Sequence, residues 1–234
     1  VTWDIIDTGC ASAVDNMSID AELLQTVVNP TLHLYDWNGD AATYGYFVNP
    51  ADYLNMDAVE RNQLQLARRP TGGGIVFHLC DLAFSVIVPA TYRSLLNILD
   101  NYAFVNNKVI TAITAFAGAH AMPHLLPQED APPDESSRHF CMAKPTKYDV
   151  MIGNKKVGGA AQRKVKRAFL HQGTIALAML PNSFLEEILL PGTQVLSAMN
   201  DKSYSLLGAH WTQQELYDAR ITMKQCLRTA FIVV

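Results

Sequence analysis

Apolar side chains return at three- and four-residue steps near the start of the chain, where Met17, Ala21, Leu24 and Val28 share one face. That period predicts an amphipathic helix, capped by Asp15 and ended by Pro30. From Thr31 the pattern changes to short runs rich in β-branched and aromatic residues: TLHLYDW from Thr31, TYGYF from Thr43, LQLARR from Leu64, IVFH from Ile75 and LAFSVIV from Leu82. Asn, Gly, Asp and Pro clusters separate them, which predicts a mostly antiparallel or mixed sheet. Leu95, Leu99, Tyr102, Val105, Val109, Ile113 and Phe116 then form a second helical stripe, expected to lie across that sheet.

The segment PQEDAPPDESS, from Pro127 to Ser137, holds three prolines and four acids and is expected to be a mobile surface loop. After it, KYDVMIGNKKVGG reads as a hairpin turning at Gly153-Asn154. HQGTIALAM supplies a further strand, and two helices, near Phe184 to Leu190 and from Gln213 to Phe231, close the chain. No internal repeat or heptad is present. The fold class expected is α/β in the α+β sense: a mixed, largely antiparallel sheet flanked by helices.

At 234 residues, 49% apolar and 17% charged, the chain can bury a proper core; one domain is the default, and two small lobes also fit. No apolar run approaches the roughly 18 residues of a membrane span, and VTWDIIDTG lacks the pattern of a secretory signal. A cytoplasmic protein without membrane partners is expected. Cys10, Cys80, Cys141 and Cys226 are far apart and form no CxxC pair, which argues against a disulfide framework and a zinc knuckle. The net charge of −4 conceals an asymmetry. Nine of the 18 basic residues and one acid, Asp149, lie between Arg138 and Arg167, so that window carries +8 and the remainder 9 − 21 = −12. A solvated basic hairpin and an anion site both explain this, and composition alone favours the former. Nucleic acid is disfavoured, because the whole chain is acidic and its aromatics do not interleave with the basic residues.

Three segments carry candidate chemistry. In RRPTGGGIVFH, Gly72, Gly73 and Gly74 stand between two strands, where glycine is expected only if the backbone needs positive φ or something approaches it closely. Their N–H groups could form an anion-binding concavity, with Arg69 offering a planar donor fork; a plain glycine-rich turn is the alternative. The spacing is neither a Walker loop nor a dinucleotide fingerprint. In KKVGGAAQRKVKR, the run Gly158, Gly159, Ala160 and Ala161 leaves a thin wall beside Lys156, suited to an acyl chain or to tight hairpin packing. Cys141, flanked by Arg138, His139, Lys144 and Lys147, sits in a field that favours a thiolate nucleophile. His120, His124, His139 and Cys141 match no standard zinc spacing, so no metal is expected.

Together these segments resemble the biotin/lipoate protein ligase and transferase superfamily, and within it the lipoyl attachment enzymes. The resemblance runs through WDIIDTG, NMSIDAELL, LYDWN, YGYFVN and RRPTGGGIVFH to YDVMIGNKKVGGAAQRK and FLHQGTIAL. It implies that family's catalytic-domain fold over residues 1–234, with no accessory C-terminal domain. It further implies transfer of an octanoyl or lipoyl group to a lysine of a lipoyl-carrier domain, such as an E2 subunit or the glycine cleavage H protein, with acyl carrier protein as a donor. Cys141, fifteen residues before Lys156 and followed by Pro145 and Tyr148, matches the nucleophile of the cysteine-dependent transferases, which need no cofactor. Lys156 is then expected to aim at the developing oxyanion. Arg69 and His78 are expected to position the loop and the pantetheine or nucleotide side. Gly74 and Asp149 instead match the branch that activates lipoate with ATP and Mg²⁺, so a lipoate-protein ligase is the alternative, and a non-catalytic carrier-binding relative is the second.

Overall fold

A computed structural model describes residues 2–92, 98–128 and 134–232. Strand β1 (Asp4–Ala11) leads into helix α1 (Ala13–Thr26). The cap is Ser12 rather than Asp15: Ser12 Oγ accepts from the Asp15 N–H at 3.1 Å and donates to the Asp15 carboxylate at 2.6 Å. This reciprocal box sets the acid inside the first turn, where the helix dipole favours it. Met17 and Leu24 are buried as expected, but Ala21 and Val28 face solvent and Asn16 and Asp20 take inner positions. A polar residue can hold such a place when its hydrogen bonds are met. Asp20 pairs with His33 Nδ1 at 2.8 Å and accepts from Ser85 Oγ and Gln172 Nε2, both at 2.6 Å.

The strand-like runs form β2 (Thr31–Trp37), β3 (Ala41–Tyr44), β4 (Gln65–Arg68), β5 (Ile75–Phe77) and β6 (Asp81–Pro89). Helix α2 (Met56–Arg61) lies between β3 and β4, and α3 (Ile98–Ala117) follows β6. Beyond it come β7 (His124–Leu125), β8 (Val150–Ile152), β9 (Lys155–Lys164) and β10 (Ala168–Ala176), then α4 (Asn182–Ile188), α5 (Val195–Lys202) and α6 (Gln213–Ile232). Seven strands make one sheet in the order β1-β2-β6-β10-β9-β8-β7, parallel only between β1 and β2. The other three make a second sheet, β4-β3-β5. The single sheet read from the sequence is therefore two: β3, which ends before Gly45, and β5, which begins after Gly74, are only four and three residues long and pair with each other.

On one face of the large sheet, Phe84 and Val86 of β6 meet Val109 and Ile113 of α3 and Met223 and Leu227 of α6 in the main core. The α3 stripe is buried at Val105, Val109 and Ile113, Leu99 is exposed, and Leu95 lies outside the described residues. A second core, with Leu54, Phe77, Phe140, Leu185 and Val195, joins the small sheet to α2, α4 and α5. Helices α2 and α5 are too short for a periodic signal, and tertiary packing sustains them. Of the expected surface loop, residues 129–133 lie outside the described residues. Its end is tied down: Asp134 accepts from the Ser137 N–H at 2.7 Å and the Gln194 N–H at 2.9 Å, and Ser137 is buried. No described helix is long and apolar enough to cross a membrane.

Candidate active site

The glycine loop between β4 and β5 is shaped from beneath by Arg69. Its Nη1 donates to the Thr43 carbonyl at 2.9 Å and the Thr43 hydroxyl at 2.8 Å, and its Nη2 donates to the Gly72 and Gly74 carbonyls at 3.1 and 2.7 Å. The fork that the sequence offers to an anion is thus occupied by the chain's own oxygens. Burial lowers the Arg69 pKa, and the nearby Cys141 thiol, acting electrostatically, opposes that shift. A cation therefore stands ready for negative charge at the sulfur.

The three glycines differ in what they require. Gly73 has φ +85°, and a Cβ there would meet Arg69 Nη2 at 3.3 Å, Ala161 Cβ at 3.5 Å and Cys141 Sγ at 3.7 Å. A Cβ at Gly74 would collide with the main chain of His139, whereas at Gly72 it would enter open space. Gly74 thus lets the His139–Cys141 segment run against β5, where the Cys141 N–H donates to the Ile75 carbonyl at 3.1 Å. Among the described residues the N–H groups of Gly72, Gly73 and Gly74 have no acceptor, so three donors remain for a ligand.

Cys141 lies where two spaces meet. Outside is a cleft of about 310 Å³ lined by Gly72 to Gly74, Tyr102, Lys144 and Lys156. Inside, between the two sheets, is a cavity of about 30 Å³ walled by Met17, Tyr35, Trp37, Val76 and Ala83. Cys141, Ala160 and Ala161 line both. The inner space is mostly apolar and about the share of one water molecule, so an acyl chain must displace side chains to enter. Gly159 joins Ala160 and Ala161 on its wall, while Gly158 faces the helices: a Cβ there would meet Val150 and Val109. The four-residue wall expected from the sequence is therefore three.

Lys156 is 2% exposed and Asp149 1%, and they form an ion pair at 2.7 Å. The ammonium also donates to the Cys141 carbonyl at 2.7 Å, which leaves its third N–H for the cleft it lines. Burial raises the Asp149 carboxyl; the Lys156 ammonium and the Thr146 N–H and hydroxyl, at 2.6 and 3.0 Å, oppose the shift. A Cβ on Gly159 would collide with the Lys156 side chain, so that glycine provides the lysine's channel. Asp149 follows Tyr148, whose φ of +70° turns the chain inward. Its structural role was not read from the sequence. The available signal was its being the only acid in the basic window.

His78 does not reach the cleft. It lines the inner cavity, stacked on Trp37 with centroids 4.4 Å apart, its Nδ1 2.7 Å from Asp81 and its Nε2 2.8 Å from the Thr43 hydroxyl. Since Thr43 Oγ1 accepts from Arg69, its own proton can go to Nε2, leaving Nδ1–H for Asp81. The histidine supports the loop through Thr43 and Arg69. His171 lies on the helix-facing side against Phe84 and Tyr102, and burial lowers its pKa to about 3. It accepts from Gln162 at 2.7 Å and is neutral.

The basic neighbours of Cys141 in sequence are differently placed. Arg138 pairs with Glu135 at 3.2 Å, His139 stacks on Tyr53, and Lys147 lies over the Tyr148 ring. Of these four, Arg138, His139 and Lys144 line the cleft. With the glycine N–H groups, Arg138 and Lys144 could hold a phosphate. Among the described residues no three His, Cys, Asp or Glu side chains converge as metal ligands.

Known proteins share the sequence and the fold of this chain. The octanoyltransferase LipM of Bacillus subtilis (strain 168) is 28% identical over 239 residues, spanning 98% of this chain and 84% of that one. Among solved structures, a lipoate-protein ligase A bound with ATP superposes with a TM-score of 0.70 at 21% identity, over 97% of this chain and 86% of the other. The bipartite lipoate protein ligase of Thermoplasma acidophilum, studied with its E2 lipoyl domain, gives 0.67 at 21% identity over 97% and 84%. The sequence profile of the lipoyl protein ligase A/B catalytic domain matches residues 12–204. By that match over most of its length, the chain belongs to the lipoyl protein ligase A/B catalytic domain family.

Proposed function

We propose that this chain is an acyltransferase that moves an octanoyl group, through a thioester on Cys141, to the ε-amine of a lysine in a lipoyl-carrier domain. The observation that carries the proposal is the position of Cys141 at the junction of an open cleft and an apolar cavity, beside three N–H groups without acceptors and a buried guanidinium. The octanoyltransferase relative supports the choice of acyl group and the independence from nucleotide. E2 subunits and the glycine cleavage H protein are the proposed acceptors, with acyl carrier protein as donor.

In the first step the Cys141 thiolate attacks the carbonyl carbon of the carrier-bound octanoyl thioester. A carbon–sulfur bond forms, negative charge moves to the carbonyl oxygen, and the glycine N–H groups with the third N–H of Lys156 receive it. Collapse breaks the old carbon–sulfur bond, and the carrier thiolate leaves and takes a proton. In the second step the acceptor amine attacks the Cys141 thioester, loses a proton as the amide forms, and expels the Cys141 sulfur. Two thioester-level steps replace one direct transfer. Arg69 faces negative charge on the sulfur at the start and end of the cycle.

A second reading, ATP-dependent lipoate ligation, is favoured by Gly74 and by the likeness of fold to the ATP-bound ligase. Intact-mass measurement decides between them. Octanoyl-carrier alone is expected to add one hydroxylamine-labile octanoyl group to the protein and none to Cys141→Ala. Product formed only from lipoate, ATP and Mg²⁺, with no adduct on Cys141, would reject the transferase in favour of the ligase. No activity in either arm would leave only a carrier-binding role.

A further inference from the structure

Catalysis uses only Lys156 of the nine cations between Arg138 and Arg167. Lys156 is buried with Asp149, Arg138 pairs with Glu135, Lys155 donates to the Asn200 carbonyl at 3.1 Å, and Lys147 covers Tyr148. Lys144 lines the cleft. The other four, Arg163, Lys164, Lys166 and Arg167, are exposed and crowd the end of the β9–β10 hairpin, where Val165 N–H donates to the Ala168 carbonyl and closes the turn. None of them is ion-paired among the described residues. Arg163 Nη1 donates to the Pro70 carbonyl at 3.2 Å, so the hairpin is tied to the glycine loop that edges the cleft.

Resting on the proposed function, we propose that this hairpin end is the docking surface for the acyl donor, an acidic carrier protein bearing the octanoyl group on a phosphopantetheine arm. Like charges crowded at one turn repel one another unless a partner neutralises them, and the rest of the chain, at −4 − 4 = −8, disfavours the approach of an acidic protein elsewhere. Distance selects donor over acceptor. Ala161 stands beside the Cys141 sulfur, since one Cβ position at Gly73 touches both. Lys164 is three residues farther along β9, about 10 Å at the rise of a strand, and Lys166 and Arg167 lie beyond it. A carrier seated there stands an arm's length from the sulfur, which suits a thioester on a long pantetheine arm. An acceptor lysine has four methylenes and must bring its domain to the cleft itself.

The test compares single-turnover loading of Cys141 from octanoylated carrier protein with loading from octanoyl-pantetheine, which has the arm and no protein. In Lys164→Glu/Lys166→Glu/Arg167→Glu, carrier loading is expected to slow at least about tenfold at low salt, while pantetheine loading stays within about twofold. Transfer from the preloaded enzyme to a lipoyl domain should be unchanged. The corresponding glutamine triple, and a salt titration of the unaltered protein, read the same discrimination should the glutamate triple fail to fold: salt should slow the carrier reaction alone. Equal losses with both donors, no loss with either, or a loss confined to the acceptor step would overturn the assignment. If the unaltered protein loads from neither donor, the proposed function falls with it, a result distinct from the other three.

Discussion

Lys156 Nζ donates to the main-chain carbonyl of Cys141 at 2.7 Å. The lysine therefore grips the backbone that carries the sulfur and, through the same amine, Asp149 at 2.7 Å. Position and charge at the site are set by one buried group on a neighbouring strand. The hairpin at Gly153-Asn154 makes this possible by laying β9 beside β8, whose entry carries Asp149.

Lys156→Arg is expected to fold and to transfer at least about a hundredfold more slowly, as for loss of an oxyanion donor. A planar fork cannot occupy the channel that Gly159 leaves for a thin side chain. Lys155→Ala, whose amine meets the Asn200 carbonyl, should stay within a few-fold of the unaltered protein. Steady-state transfer to a lipoyl domain reads both, and equal losses would remove Lys156 from the site.

Asp149→Asn leaves the Lys156 ammonium buried without its counter-charge and should destabilise the fold by about 3–5 kcal/mol. Adding Lys156→Met to that variant removes the stranded charge and should restore much of the stability without restoring transfer. Urea melts of the two singles and the double give the coupling. Simple additivity would show that the pair is not a unit.

Gly74→Ala and Gly72→Ala separate space from sequence. The first must move the His139 main chain and is expected to cost about 1–3 kcal/mol and to impair acylation of Cys141. The second meets nothing within 4 Å and should be close to neutral, within about 0.5 kcal/mol. Thermal melts and intact mass after octanoyl-carrier treatment measure both. Equal damage at the two positions would contradict the packing of Gly74 on His139.

His171 governs part of the acid response. Its folded pKa, about 3, lies below the ordinary histidine value of 6.5. Between those values the unfolded chain binds a proton that the native state refuses, so native stability falls as pH falls from 6.5 towards 3. From pH 6.5 to 5 this amounts to about 2 kcal/mol. His171→Phe, stacked on Phe84, should flatten that slope by close to one proton in urea melts across the window. An unchanged slope would mean that other groups set the acid limit.

The sequence by itself determined the order and kind of the longer elements. Thr31–Trp37 is the strand its β-rich composition predicts, the hairpin turns at Gly153, and the closing helix begins at Gln213. Period, turn chemistry and capping act between residues a few positions apart, so they are legible in a string. The resemblance singled out Cys141, the glycine loop and β9 as motifs, and the fold lines one cleft with them. Tertiary structure alone decided what each residue does there. Arg69 turns inward to Thr43 and the loop carbonyls, His78 lines the inner cavity, Gly158 faces α3, and Asp149 meets Lys156. Each outcome depends on how two sheets and a parallel bridge between Ile75 and Phe140 bring distant segments together. A contact such as Gly74 on His139 exists only once β5 has been laid beside that segment, and no local period or spacing records it.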